Sequence, residues 1–181
     1  MTEVDDDKFG WHGGEVTIVP PTKKNADAKS LYVCRKVLNS AQLVKWAMEQ
    51  GLSGIKDDLH VTLIYSKKSI QWKKVIDSSP EATENIMIEP SRLRWIEYLG
   101  PEATMISGTD KVIAICIKAP ELQLRNKGLR MLGCSDGWLN YQPHVTIAVG
   151  VDGKRTLADV KPYAGPIVLG PEQYDVVKED R

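Results

Sequence analysis

Cysteine is scarce in this 181-residue sequence: there are three, Cys34, Cys116 and Cys134, an odd number with no C-x-x-C pair. That excludes a disulfide framework and predicts buried thiols in a reducing compartment. Long hydrophobic runs are missing too, since the longest, Val112 to Ile117, falls far short of the roughly 20 apolar residues of a membrane-spanning helix. Neither sign of charge is in excess, with 24 Lys+Arg against 24 Asp+Glu. A long nucleic acid tracked along a basic surface is therefore disfavoured, whereas a small phosphate-bearing ligand is not. There is no H-E-x-x-H, no acidic and histidine cluster at ligand spacing and no glycine-rich phosphate loop, so no metal and no other cofactor is expected. Zinc on His12, His60 and His144 would need a ligand from a loose arm, a poor support for a catalytic ion. Asp5, Asp6 and Asp7 stand where a secretion signal carries positive charge, and the chain reads as soluble and intracellular, with no membrane partner.

What is present suits one core of ordinary size. Residues 1–29 read as an arm, with an acidic run, Gly10, Gly13, Gly14 and Pro20-Pro21, and with Val16 to Val19 as its one strand-like run. Residues 30–181 read as the domain. Leu31 to Leu38 is strand-like; Asn39 or Ser40 then caps a helix, AQLVKWAMEQ, that stops at Gly51. Strands are expected over Leu59 to Tyr65, Asn85 to Glu89, Arg92 to Leu99 and Lys111 to Lys118. A second helix, Glu121 to Leu132, opens at Pro120 and ends at Gly133. His144 to Val149 is again strand-like, and two last runs, Ile167 to Leu169 and Gln173 to Val177, straddle Gly170-Pro171. Strands with only two convincing helices point to an α+β sheet architecture rather than a doubly wound parallel one.

Histidine is as rare as cysteine, with three residues in the chain, and two of them stand in a repeated pattern. Leu59-His60-Val61-Thr62-Leu63 and Pro143-His144-Val145-Thr146-Ile147 each place His-x-Thr in an apolar strand. Alternation on a strand puts the imidazole and the hydroxyl on one face, with Val61, Leu63, Val145 and Ile147 on the other, against a helix. If two halves of the domain are related by an approximate twofold, His60, Thr62, His144 and Thr146 converge on one cleft. Two imidazoles, each titrating at about 6.5 when unperturbed, supply a general base and a general acid near neutrality. Two hydroxyls supply donors to phosphate oxygens.

The motifs LHVTLIYS and PHVTIAVG resemble the paired H-x-T/S-x signature of the 2H phosphoesterase superfamily. Within it, the strand YVCRKVLN, the motif DLHVTLIYS and the tail GPEQYDVVKED look most like the phage anti-CBASS phosphodiesterases, which destroy cyclic di- and trinucleotide immune signals. The resemblance implies a bilobal fold of two antiparallel sheets related by a pseudo-twofold about a central cleft, with helices on the outer faces. It implies His60 and His144 as the acid/base pair and Thr62 and Thr146 as phosphate ligands. It further implies Glu172 as a contact to a nucleobase, with Tyr32 and Trp95 as stacking aromatics. Trp72, flanked by Lys67-Lys68 and Lys73-Lys74, is a further substrate-binding candidate. The implied partner is a cyclic oligoribonucleotide such as 3′3′-cGAMP, met in the cytoplasm of an infected bacterium.

For a ribonucleotide without a metal, the nearest nucleophile is its own 2′-hydroxyl, held beside the phosphate. One histidine takes its proton and the other protonates the departing 5′-oxygen; which does which is not legible in the sequence. Two other readings use the same four residues: an RNA-end enzyme acting on 2′,3′-cyclic phosphates, and a non-catalytic sponge for cyclic nucleotides.

Overall fold

The computed structural model describes residues 28–100, 111–135, 140–151 and 156–177. Residues 1–27 of the expected arm, with Val16 to Val19, Trp11 and His12, lie outside the described residues, as does Trp138. In chain order the elements are β1 (Lys29–Val37), α1 (Ser40–Glu49), β2 (His60–Ile70), the short helix α2 (Trp72–Ile76), a 3-10 turn (Pro80–Thr83), β3 (Ile86–Ile88), β4 (Arg94–Leu99), β5 (Lys111–Ile117), α3 (Pro120–Met131), β6 (His144–Val151) and β7 (Ile167–Asp175). The α+β architecture and both main helices agree with the sequence pattern. No helix among the described residues is long and apolar enough to cross a membrane.

Three expectations need correction. The strands do not divide into two sheets: they form one seven-stranded sheet in the order β3-β7-β1-β2-β6-β5-β4, antiparallel at each pairing. Gly170-Pro171 does not separate two strands either, because β7 runs through it. The β1–β7 register shifts between Arg35 and Val37, and such an irregularity accommodates a proline that has no N–H to give to the ladder. The polar stretch after β2 contains α2, a turn of helix too short for periodicity to reveal.

The two halves of the sheet meet at a narrow seam. Val61 of β2 faces Val145 of β6, the one Cα pairing between these strands. Towards the C-terminal end of β6 its ladder is continued by an earlier segment, with Ile55 bridging Ala148, Val149 N–H donating to Gly54 O at 2.9 Å and Lys56 N–H to Ile147 O at 2.8 Å. Gly54 has φ +67°, and a Cβ there would meet Val149 O at 2.2 Å, so only glycine fits. On the other side of the seam, side chains replace the missing strand partners. Tyr141 Oη donates to Thr62 O at 2.8 Å and Asn126 Nδ2 of α3 to Leu63 O at 2.6 Å, which satisfies carbonyls that a splayed ladder would otherwise leave bare.

Across the seam runs one row of paired residues: Glu172, Arg35, Val61, Val145, Ile115 and Ile96. Val61, Leu63, Val145, Ile147 and Ile115 are wholly buried, in the same core as Leu43, Trp46, Leu122 and Leu129 of the helices. α1 packs on β6 and α3 on β2. Each fully buried aliphatic side chain contributes about 1.5–3 kcal/mol. A one-residue slip would expose them all and bury the polar row beside them, which is why the register is well determined.

Candidate functional site

Strand alternation places the rows on either side of Val61–Val145 on the opposite face of the sheet. One reads Gln173, Cys34, Thr62 on β7, β1 and β2, and continues beyond the seam as His144, Cys116, Trp95 on β6, β5 and β4. The other reads Lys36, His60 and then Thr146, Ala114, Glu97. Because the Val61–Val145 pair is antiparallel, each histidine sits across the seam from the other motif's threonine. The two histidines are diagonal neighbours, a relation that places Cβ atoms about 7 Å apart. All four H-x-T residues thus share one face, and all are half-buried.

The two imidazoles are held alike. His60 Nδ1 lies 3.1 Å from Asp58 O and His144 Nδ1 lies 2.9 Å from Gln142 O. A carbonyl oxygen can only accept, so Nδ1 donates in both rings, and the neutral imidazole keeps its lone pair on Nε2. Beyond that the surroundings differ. The Asp58 carboxylate is 3.6 Å from His60 Nδ1 and pairs with Lys36, the residue opposite His60 on β1. Burial pushes His60 below the ordinary imidazole value of 6.5, Lys36 and Lys56 add to that, and Asp58 opposes it. Burial pushes the Asp58 carboxyl up, but Lys36, with His60 and Lys56, outweighs it and holds the group below the usual carboxylate range.

Tyr32 is buried, and its hydroxyl shares a 3.2 Å hydrogen bond with Thr62 Oγ1. Its ring stands edge-on to His60 and to Tyr65, with centroids 6.3 and 6.2 Å away. Tyr32 therefore offers the site a hydroxyl that orients Thr62, not an open stacking face. Trp95 is on the site face and half-buried, with Nε1 donating to Glu97 Oε2 at 3.0 Å.

Glu172 and Trp72 are not brought to this face. Glu172 pairs with Arg35 in the core-facing row, and its side chain has no solvent exposure. Arg125 donates to its two oxygens, each at 2.8 Å, and Tyr174 Oη donates to Oε2 at 2.7 Å. Arg35 lies 3.6 Å away and donates to Gly170 O, Glu84 O and Glu81 O. The carboxylate is thus committed to tying α3 and the 3-10 turn to the sheet. Trp72 enters the core, with Nε1 donating to Ser30 O at 3.3 Å; the ring area it buries outweighs the pull of its lysine neighbours towards solvent. The residue of the GPEQYD segment that does share the site face is Gln173, one position on. Lys36, Glu97 and Gln173 were missed because isolated polar residues on strands carry no motif; cross-strand register is what unites them.

A cysteine also stands beside each motif, Cys34 opposite Thr62 and Cys116 opposite His144. A thiol next to a histidine suggests a nucleophile, but burial, with Glu97 adding to it, pushes Cys116 up to about 12. It stays a thiol near neutrality and is a poor nucleophile. Among the described residues no group of three His, Cys, Asp or Glu could hold a metal ion.

A family model described as Anti-CBASS protein Acb1 matches residues 29–181. The chain is 36% identical over 164 residues to an anti-CBASS protein Acb1 of Caulobacter sp. (strain RHG1), covering 88% of this chain and 25% of that protein. It is 31% identical over 160 residues to an anti-CBASS protein Acb1 of Sphingomonas paeninsulae, covering 86% of this chain and 24% of that one. The chain thus spans about a quarter of the length of these curated relatives. With the family match running from β1 to the last residue, the chain belongs to the anti-CBASS protein Acb1 family.

Proposed function

We propose that this chain is a phosphodiesterase of the 2H type that opens cyclic di- and trinucleotide signals, removing the alarm of CBASS immunity in a phage-infected bacterial cytoplasm. The observation that carries the reading is the matched pair of imidazoles, each with Nδ1 tied to the carbonyl two residues back and Nε2 left for chemistry, across the seam from a threonine hydroxyl. Binding alone does not need two imidazoles, the side chains suited to general acid and base work.

In the reaction, one Nε2 takes the proton of a ribose 2′-hydroxyl as its oxygen bonds to the adjacent phosphorus. The phosphorus–O5′ bond breaks, and the other imidazole delivers a proton to the departing 5′-oxygen. Thr62 and Thr146 donate to the non-bridging oxygens, where charge grows in the transition state. The product is a linear nucleotide with a 2′,3′-cyclic phosphate and a free 5′-hydroxyl, and no co-reactant is consumed. Trp95 is the stacking surface for a base and Gln173 the amide at the opposite end of the same row, in place of the contact expected from Glu172. Stacking contributes about 1–3 kcal/mol per base.

The test is mass analysis of products from a panel of 3′3′-linked cyclic di- and trinucleotides incubated with the protein and EDTA. Turnover to 2′,3′-cyclic-phosphate products is expected, and loss of about 100-fold or more with either His60→Ala or His144→Ala. Full activity in both variants, or a strict need for added metal, overturns the reading. Intact ligand recovered from the denatured complex would favour a sponge, and faster turnover of RNA 2′,3′-cyclic phosphates an RNA-end enzyme.

A further inference from the structure

The two imidazoles share a tether but not a setting. Behind His60 stands a carboxylate, with Asp58 Oδ2 3.6 Å from Nδ1. Behind His144 stands a neutral residue, Gln142, whose Nε2 is turned away to donate to Ile117 O at 2.9 Å and Pro143 O at 3.1 Å. A carboxylate behind a ring favours the imidazolium that forms when the ring accepts a proton at Nε2. A base also has to be neutral before it acts, and a carboxylate alone would work against that. Lys36 supplies the counterweight: it pairs with Asp58 and sits opposite His60 on β1.

We propose that His60 takes the proton from the 2′-hydroxyl and that His144 protonates the leaving 5′-oxygen, with Asp58 as a positioning residue for His60. This deepens the phosphodiesterase reading and rests on it. The charged groups near His60 are Asp58 and Lys56 from the segment before β2 and Lys36 from β1; β6 presents Thr146 across the seam, and Tyr32 its ring edge. Together with burial they leave His60 below its ordinary value, neutral at the start of the cycle, while Asp58 stays ionised and ready to stabilise the charge that arrives. The bond from Nδ1 to Asp58 O orients the ring so that this charge is received at Nε2. Among the described residues no carboxylate pairs with His144, whose Nδ1 is tied to the Gln142 carbonyl, and an acid that must give its proton to a 5′-oxygen is served by that.

The roles separate with a substrate whose leaving group needs no acid. A 3′3′-linked cyclic dinucleotide with sulfur in place of the bridging 5′-oxygens departs as a thiolate. With it, His144→Ala is expected to regain activity to within about tenfold of the unaltered protein, while His60→Ala stays inactive. Rescue of His60→Ala instead, of both, or of neither overturns the assignment. Asp58 is half-exposed, so Asp58→Asn is a gentle change, and circular dichroism checks that the fold is kept. Its expected effect is a kcat about tenfold lower at unchanged KM, the size of about one pKa unit, with the acid limb of the pH–rate profile moved to lower pH and the alkaline limb unmoved. Both limbs moving together, or neither, removes Asp58 from the proposal. Failure of the unaltered protein to cleave either substrate sinks the phosphodiesterase reading itself, a result distinct from a reversed rescue pattern.

Discussion

Val61 and Val145 lie directly opposite each other where β2 meets β6, and each is the middle residue of a His-Val-Thr triplet. An antiparallel pair has a local twofold axis between its partners, so this one contact places both histidines and both threonines on one face in crossed positions. The catalytic symmetry proposed here is a property of that pair and its register.

Tyr32 and Thr62 share a hydrogen bond, and the threonine hydroxyls are proposed to hold the phosphate. Thr62→Val and Thr146→Val are each expected to lower kcat about 100-fold, in line with the loss of one donor to a developing charge. Tyr32→Phe, which keeps the ring and removes the bond that orients Thr62, is expected to lower it about tenfold or less. Steady-state kinetics with a cyclic dinucleotide measure all three, and a Tyr32→Phe defect larger than that of Thr62→Val would show that the tyrosine acts on substrate directly.

Glu172 is a buried anion between two arginines. Removing the charge and leaving Arg35 and Arg125 uncompensated is expected to cost about 3–5 kcal/mol. Thermal unfolding of Glu172→Gln should show a large drop in Tm, with activity per folded molecule retained at low temperature. Gln173→Ala should show the reverse: an unchanged Tm and a raised KM. A Glu172→Gln protein of normal stability with a raised KM would restore the base contact suggested by family resemblance.

Gly54 is strained for any other residue, by its positive φ and by the carbonyl of Val149. Gly54→Ala is expected to destabilise the protein by roughly 2 kcal/mol or more, because the obstructing atom is backbone that pairs β6. Denaturant unfolding measures it, and a change below about 0.5 kcal/mol would mean that residues 54–56 do not hold β6 in place.

His60 has its pKa lowered on folding, so above about 6.5 the folded and unfolded chains both carry it neutral and no stability is lost. As pH falls through 6.5 towards the folded value, the unfolded chain takes up a proton that the folded chain does not, and stability declines. Tm measured from pH 7.5 to pH 5 should therefore fall less steeply in His60→Gln than in the unaltered protein. The acid limb of the activity profile should lie below 6.5. A limb above 6.5, or identical Tm slopes, would contradict the lowered value.

The α+β class, the two main helices, the apolar strand faces and the placement of each His and Thr together on one strand face were legible in the sequence because each rests on a local rule: period 3.6 in the helices, period 2 in the strands, a proline at a helix start. The side of the sheet on which Glu172 lies was not, since Gly170-Pro171 obscured whether β7 was one strand or two, and one step of alternation separates Glu172 from Gln173. Trp72 is a substrate-binding candidate by its lysine neighbours alone; the core beneath α2 takes the ring instead.

The sequence by itself determined which groups could do the chemistry: two imidazoles and two hydroxyls, each pair on one face of its own strand, in a chain with no excess of charge to spread along a polyanion. Only the tertiary structure decided that the two strands meet, through Val61 and Val145, that each ring is tied through Nδ1 to a backbone carbonyl, and that a carboxylate stands beside the His60 ring. The reason is physical: alternation is written in a few consecutive residues, whereas register between strands far apart in the chain depends on the whole core beneath them.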